Sequence, residues 1–282
     1  MKSPFFLLCL ISITTYSVFG QSTRWVREGE IGNFRSAASF SLSPEGYFFV
    51  ADAGASQVLK LNKDGAVFNT AGGYGWDASG LTSPVDICAE AVYVLVADEE
   101  NNKINKYDKN LNLAGTVYKR ESLYTDEIFG YPRSVAVSTL GDLYVLDGEN
   151  NRIVYYSFFG DYKGNFGGFN SGFYTLDKPR RLTALKNSIA VLDRRDLVIF
   201  DLFGSYIQKY SFKERFNSVK AFEGMVTLTA DHEILASVDG FDLEFTRLEI
   251  DEHLYYIDSI LTGDKLYILT ENSILIFRKA AE

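Results

Sequence analysis

The chain has 282 residues, 46% of them hydrophobic and 15% aromatic, with a net charge of −9. That length and apolar content suit one large domain with a substantial core and argue against a disordered chain. The acidic balance makes a poor nucleic-acid binder, because phosphate neutralisation dominates such affinity.

In chain order, Met1 to Gly20 reads as a secretory signal. Lys2 supplies the positive start, and the apolar run Phe5 to Ile13 is too short to span a bilayer. Cleavage is expected before Gln21, which leaves a single domain over 21–282. Cys9 lies inside the signal, so Cys88 would be left alone and no intrachain disulfide could form. No Asn-x-Ser/Thr acceptor occurs in the chain. Together these features point to a secreted or periplasmic protein of a bacterial envelope.

Thr23 to Ile31 (TRWVREGEI) is a lone strand. It is followed by a unit from Ser39, SFSLSPEGYFFVADAGASQVLKL, which reads as three short strands with a fourth at Ala66 to Ala71. A second unit starts at Val85 with its fourth strand at Leu113 to Tyr118. In the third, strands fall at Ser134 to Val137, Leu143 to Leu146, Ile153 to Tyr156 and Asp161 to Phe166. The fourth starts at Arg180 and adds Ser205 to Ser211. The fifth is fainter and adds Phe241 to Leu248. The last, Ile257 to Lys279, holds only three strands.

An Asp closes the second strand of the first four units, at 52, 98, 147 and 193, spaced 46, 49 and 46 residues apart. A period in the forties with four short strands per unit predicts an all-β, six-bladed β-propeller of four-stranded antiparallel blades. Trp25 to Glu28 is expected to supply the strand missing from the last blade, closing the ring and hiding a sheet edge.

Val145-Leu146-Asp147 followed by Asn150-Asn151-Arg152-Ile153 resembles the NHL repeat, as does Val96-Ala97-Asp98 followed by Asn101-Asn102-Lys103-Ile104. The preceding prolines and DYKGNFGG at Asp161 to Gly168 also fit. The resemblance implies a propeller and no single activity, since the fold hosts enzymes, binders and scaffolds alike. Related propeller folds include metal-dependent lactonases and lyases that use histidines. Here only His232 and His253 exist, which excludes a three-His metal site.

Three sets of residues are candidates for function. The repeated Asp residues could ring a cation, or could accept backbone N–H bonds in the loop each begins; periodic recurrence favours the architectural role. Asp86, Arg133, Arg180, Arg181, Asn217 and Asp258 stand near the starts of inner strands, at the mouth of the channel. They could hold an anionic sugar or carboxylate, or tile the channel with salt bridges. Long loops rich in Gly and aromatic residues precede Pro84, Pro132 and Pro179. They place Tyr74, Trp76, Tyr124, Phe129, Tyr131, Phe169, Phe173 and Tyr174 on one face. Exposed rings there would bind a protein or a glycan, whereas folded-back rings would be local cores.

The expectation is an exported, non-catalytic propeller that binds or scaffolds another envelope or cell-surface protein through these loops. The alternatives are a lactonase-like hydrolase or lyase at the channel mouth, or a glycan-binding module. No cofactor is required by the first reading; calcium enters only with the channel-mouth alternative.

Overall fold

The computed structural model describes residues 24–118, 127–169, 174–240, 242–252 and 254–280. Among them are six sheets arranged as six blades. Blade 1 is Ala37–Leu42, Phe48–Asp52, Gln57–Leu61 and Val67–Gly72. Blade 2 is Pro84–Ala89, Tyr93–Asp98, Lys103–Asp108 and Leu113–Tyr118. Blade 3 is Pro132–Val137, Leu143–Asp147, Arg152–Tyr156 and Tyr162–Phe166. Blade 4 is Pro179–Ala184, Ser188–Asp193, Asp196–Asp201 and Tyr206–Ser211. Blade 5 is Ser218–Phe222, Met225–Ala230 and Glu233–Val238, with an outer strand of only two residues, Thr246–Arg247, where eight were expected.

Blade 6 is Asp258–Leu261, Lys265–Leu269 and Ile274–Lys279, completed by the N-terminal strand Arg24–Ile31. That strand runs antiparallel to Ile274–Lys279, from Trp25 opposite Lys279 to Ile31 opposite Ile274, with a bulge between Arg27 and Gly29. It pairs beyond the Trp25 to Glu28 segment expected to close the ring, out to Ile31, and also pairs in parallel with Glu249–Ile250. Trp25 is buried among Tyr256, Leu266 and Phe277, so the closure joins the core as well as the hydrogen-bond ladder. Glu28 adds ion pairs to Lys265 and Arg278.

The burial pattern follows from the stacking of blades. Second strands such as Phe48–Asp52 and Leu143–Asp147 are buried at every position, because a neighbouring blade covers each face. Outer strands such as Val67–Gly72 and Tyr206–Ser211 have no fully buried residue. The buried apolar residues fall into six clusters, each joining two adjacent blades. The last joins blade 1 to blade 6, through Phe40, Phe48, Leu269 and Ile274.

A left-handed residue precedes the third strand in blades 1 to 4: Ser56, Asn102, Asn151 and Arg194, with φ between 50° and 54°. The second Asn of each Asn-Asn pair therefore has a backbone reason, since Asn tolerates this conformation better than most residues.

Candidate functional site

The closing Asp residues are buried and hold loops. Asp52 accepts the N–H groups of Arg35 and Ser36, Asp98 those of Thr82 and Ser83, Asp147 that of Gly130, and Asp193 those of Asp177 and Lys178. The acceptors reach back to the connection that enters each blade. Asp98 and Asp147 also bond the loop each begins, through the side-chain amides of Asn101 and Asn150, and Asp147 further accepts the N–H groups of Glu149 and Asn150.

Two buried cations complete these anchors in blades 2 and 3. Each stands five residues after its Asp. The Lys103 ammonium is 4.0 Å from Asp98 and donates to the carbonyls of Asp77 (2.8 Å) and Gly80 (2.7 Å). Burial lowers the Lys103 ammonium pKa, with Asp98 and Asp77 pulling it back. Arg152 donates from Nε to Asp147 (2.9 Å) and from Nη2 to the Ile128 carbonyl (2.7 Å). A buried cation that bonds loop carbonyls fixes the loop as firmly as a buried strand, because releasing it would strand a charge in the interior. The repeat motif shows Lys103 and Arg152, but its resemblance alone does not reveal that they clamp the connections.

On these connections the expected aromatic residues separate. Tyr74 and Trp76 are 70% and 76% exposed and meet edge to face, with ring centroids 5.8 Å apart. Their loop is tied by Leu81 N–H to the Gly73 carbonyl, by Gly80 N–H to Asp77 and by Asn101 Nδ2 to the Gly75 carbonyl. Tyr131 is half exposed with a left-handed backbone (φ 49°). Its N–H donates to Asn102 Oδ1 (2.7 Å) and its carbonyl accepts from Gly148. Phe169 is 92% exposed. Phe129 is a correction: it is fully buried, edge-on to Tyr156 in the core between blades 2 and 3, and offers no surface. Tyr174 is half-buried, stacked on Tyr206 at 5.2 Å and packed against the core between blades 3 and 4. Tyr124 and Phe173 lie outside the described residues.

The channel-mouth residues also divide, and the ladder explains how. Blades 1 to 4 carry a bulge in the inner strand, at residues 38, 85, 133 and 180. Bulges re-aim side chains. The bulge residues Arg133 and Arg180 are tied at the ends of their strands. Arg133 donates to the Pro179 carbonyl and pairs with Glu99 at 3.5 Å; Arg180 donates to the Arg194 carbonyl. The next residues, Asp86, Ser134 and Arg181, form the channel network with Ser39 and Asp258. Asn217 belongs to neither group and donates to Asp231 (2.5 Å).

Lys220, in blade 5, completes the channel. Its ammonium lies 3.1 Å from Asp86 in blade 2 and 3.5 Å from Asp258 in blade 6. Arg181, in blade 4, donates to the carbonyls of Arg133 (2.8 Å) and Ala38 (3.2 Å), the latter in blade 1. Both cations therefore cross the axis. Asp86 also accepts from Ser39 (2.7 Å), Ser134 (2.5 Å) and the Val135 N–H, and Asp258 from Ser218 (2.6 Å) and the Ser259 N–H. Burial pushes the Asp86 carboxyl up, but Lys220, Arg181 and the two serines outweigh it and hold it at about 2. Asp258 also accepts from Ser39 and the Phe40 N–H, but burial outweighs Lys220, Ser218 and Arg181 and raises it. Two carboxylates and two cations thus meet across the axis. Lys220 has one signal in the sequence, a lone Lys inside the apolar strand SVKAF.

Residues 129–156 match the NHL repeat model. Blade 3 carries an NHL repeat. The fold as a whole is similar to solved propellers at low identity. A virginiamycin B lyase from Staphylococcus aureus aligns over 91% of this chain and 100% of its own, with a TM-score of 0.63 and 10% identity. A gluconolactonase from Xanthomonas campestris aligns over 92% of this chain and 95% of its own, with a TM-score of 0.64 and 10% identity. No curated protein sequence matches the chain. At these identities the likeness establishes the fold, and function rests on the site.

Proposed function

We propose that this chain is an exported, non-catalytic propeller that binds another envelope or cell-surface protein through the rim formed by the connections into blades 2, 3 and 4. The observation that carries this reading is the combination of exposed rings with buried clamps. Tyr74, Trp76 and Tyr131 face solvent on connections that Lys103, Arg152, Asp98 and Asp147 hold from beneath. A rim fixed before docking loses little ordering entropy on binding, and aromatic residues are favoured in the centres of protein interfaces.

The channel supports the same reading. The Lys220 ammonium sits between the two carboxylates, where a divalent ion would have to bind, and Asn217 is turned to Asp231. The donor set does not fit calcium, and each channel carboxylate is occupied by structural partners.

Capture from envelope extract tests the proposal. Parent protein should retain a specific partner that a Trp76→Ala, Tyr131→Ala, Phe169→Ala variant loses while remaining folded. Retention of the same partner by both would remove the rim from the account. Trp76 gives a second readout: Trp25 is the only other tryptophan and is buried, so partner binding should shift the emission of a Trp25→Phe variant.

A further inference from the structure

Blade 5 departs from blades 1 to 4 at one position with a large consequence. Ala230 stands where the buried Asp stood, closing the second strand opposite Glu233, and offers no acceptor to the connection. The connection entering the blade is short, running from Phe212 to Asn217. A recess of about 900 Å³ opens there, bounded by that connection, the Asp231–Glu233 turn, Arg247 and Tyr255.

One wall is an aromatic face. Tyr255 is 61% exposed, yet its hydroxyl donates to Asp231 (2.5 Å) and His232 meets its ring edge-on at 5.3 Å. The ring is held while its open face meets solvent. The charges around it are unevenly satisfied. Arg247 pairs with Glu233 at 3.3 Å, and Asp231 accepts from Asn217 and Tyr255. Lys213 and Arg215 have no ion pair among the described residues, although the chain is acidic overall. Arg180 has its Nε buried without a partner. Burial, and then repulsion from Arg215, push the Arg180 guanidinium down to about 10. Cations without an ion-pair partner, such as Lys213 and Arg215, are stabilised by an anion placed against them.

We propose that this recess binds an acidic saccharide, with a sugar ring against Tyr255 and its carboxylate held by Arg215 and Lys213. Guanidinium recognises carboxylate through forked hydrogen bonds, and aromatic faces take the apolar side of a sugar. The volume falls within the usual range of small-ligand sites, roughly 300–1,000 Å³. Glu214 and Asp231 supply acceptors for sugar hydroxyls, and their charge disfavours a densely charged polyanion. The site is independent of the aromatic rim.

Calorimetry with tetragalacturonate tests it, with a neutral glucose tetrasaccharide and inorganic phosphate as comparisons. The acidic sugar should bind one to one. Affinity should fall at least about tenfold in Lys213→Ala/Arg215→Ala and in Tyr255→Ala, and stay unchanged in Trp76→Ala. These residues are exposed, and circular dichroism checks that each variant folds. Equal binding of the neutral sugar, phosphate binding as tight as the saccharide, unchanged affinity in the variants, or no binding at all would each overturn the proposal.

Discussion

Blades 2 and 5 are built on the same strand order, yet their upper surfaces are opposites. In blade 2 a buried Asp and a buried Lys hold a long connection, and Tyr74 and Trp76 stand out from it. In blade 5 Ala230 replaces the Asp, Glu233 stands where the cation stood, the connection is short, and a recess takes the place of a rim. A loop long enough to display side chains needs its backbone polar groups satisfied below, and the Asp–cation pair does that. Losing the pair removes the means of holding a raised loop and leaves a concave surface.

The largest perturbation strikes the plain half. Deleting residues 24–31 removes the fourth strand of blade 6 together with buried Trp25 and Ile31. Loss of one buried Trp alone is worth about 3–5 kcal/mol, so the truncated chain should melt far below the parent. A midpoint within about two degrees of the parent would show that the ring needs no closure.

Lys103→Met comes next and attacks the displayed half. It leaves Asp98 buried without its cation, an arrangement that costs on the order of 3–5 kcal/mol, read by denaturant unfolding. An unchanged midpoint would make the clamp decorative.

A pH series probes the axis common to both halves. Asp86 is held below its ordinary value, so its contribution is complete above about pH 4 and is lost as pH falls toward 2, amounting to roughly 2 kcal/mol. Asp258 is shifted upward and acts in the opposite sense. Asp258→Asn should therefore leave a steeper acid loss than the parent shows. The same acid profile in Asp86→Asn as in the parent would locate the effect elsewhere.

Asp193→Ala should give the smallest effect. Among the described residues Asp193 accepts the N–H groups of Asp177 and Lys178 and has no cation clamp. Its loss should cost about 1–3 kcal/mol, less than Asp147→Ala, which also strands Arg152. Equal losses at the two positions would deny that the cation adds anything.

The sequence showed the architecture well and the sites unevenly. Asp at 52, 98, 147 and 193 marks the blade period because each blade needs the same loop acceptor, and Trp25 was read correctly as part of a closing strand. The two-residue outer strand of blade 5 was beyond reach, because Phe241 to Thr246 alternates apolar and polar residues as a strand would, while Leu243 and Phe245 pack into the core between blades 4 and 5 from a stretch outside the ladder. Phe129 and Tyr131 sit two residues apart in one aromatic loop, and nothing in composition says that one is core and the other surface. That distinction depends on Tyr156 and the blade interface. The channel network was half visible: Asp86, Arg181 and Asp258 stood out, but Lys220 lies 134 residues from Asp86 and meets it only once the ring closes.

The most direct test of a rim held from beneath is amide hydrogen exchange across residues 73–83 in the parent and in Lys103→Met. In the parent, the amides of Gly80, Leu81 and Ser83 should exchange slowly, each being bonded to Asp77, Gly73 or Asp98. In the variant their protection should collapse, while Asp177 and Lys178 in the connection to blade 4 keep theirs. Rapid exchange at these amides in the parent would contradict the account.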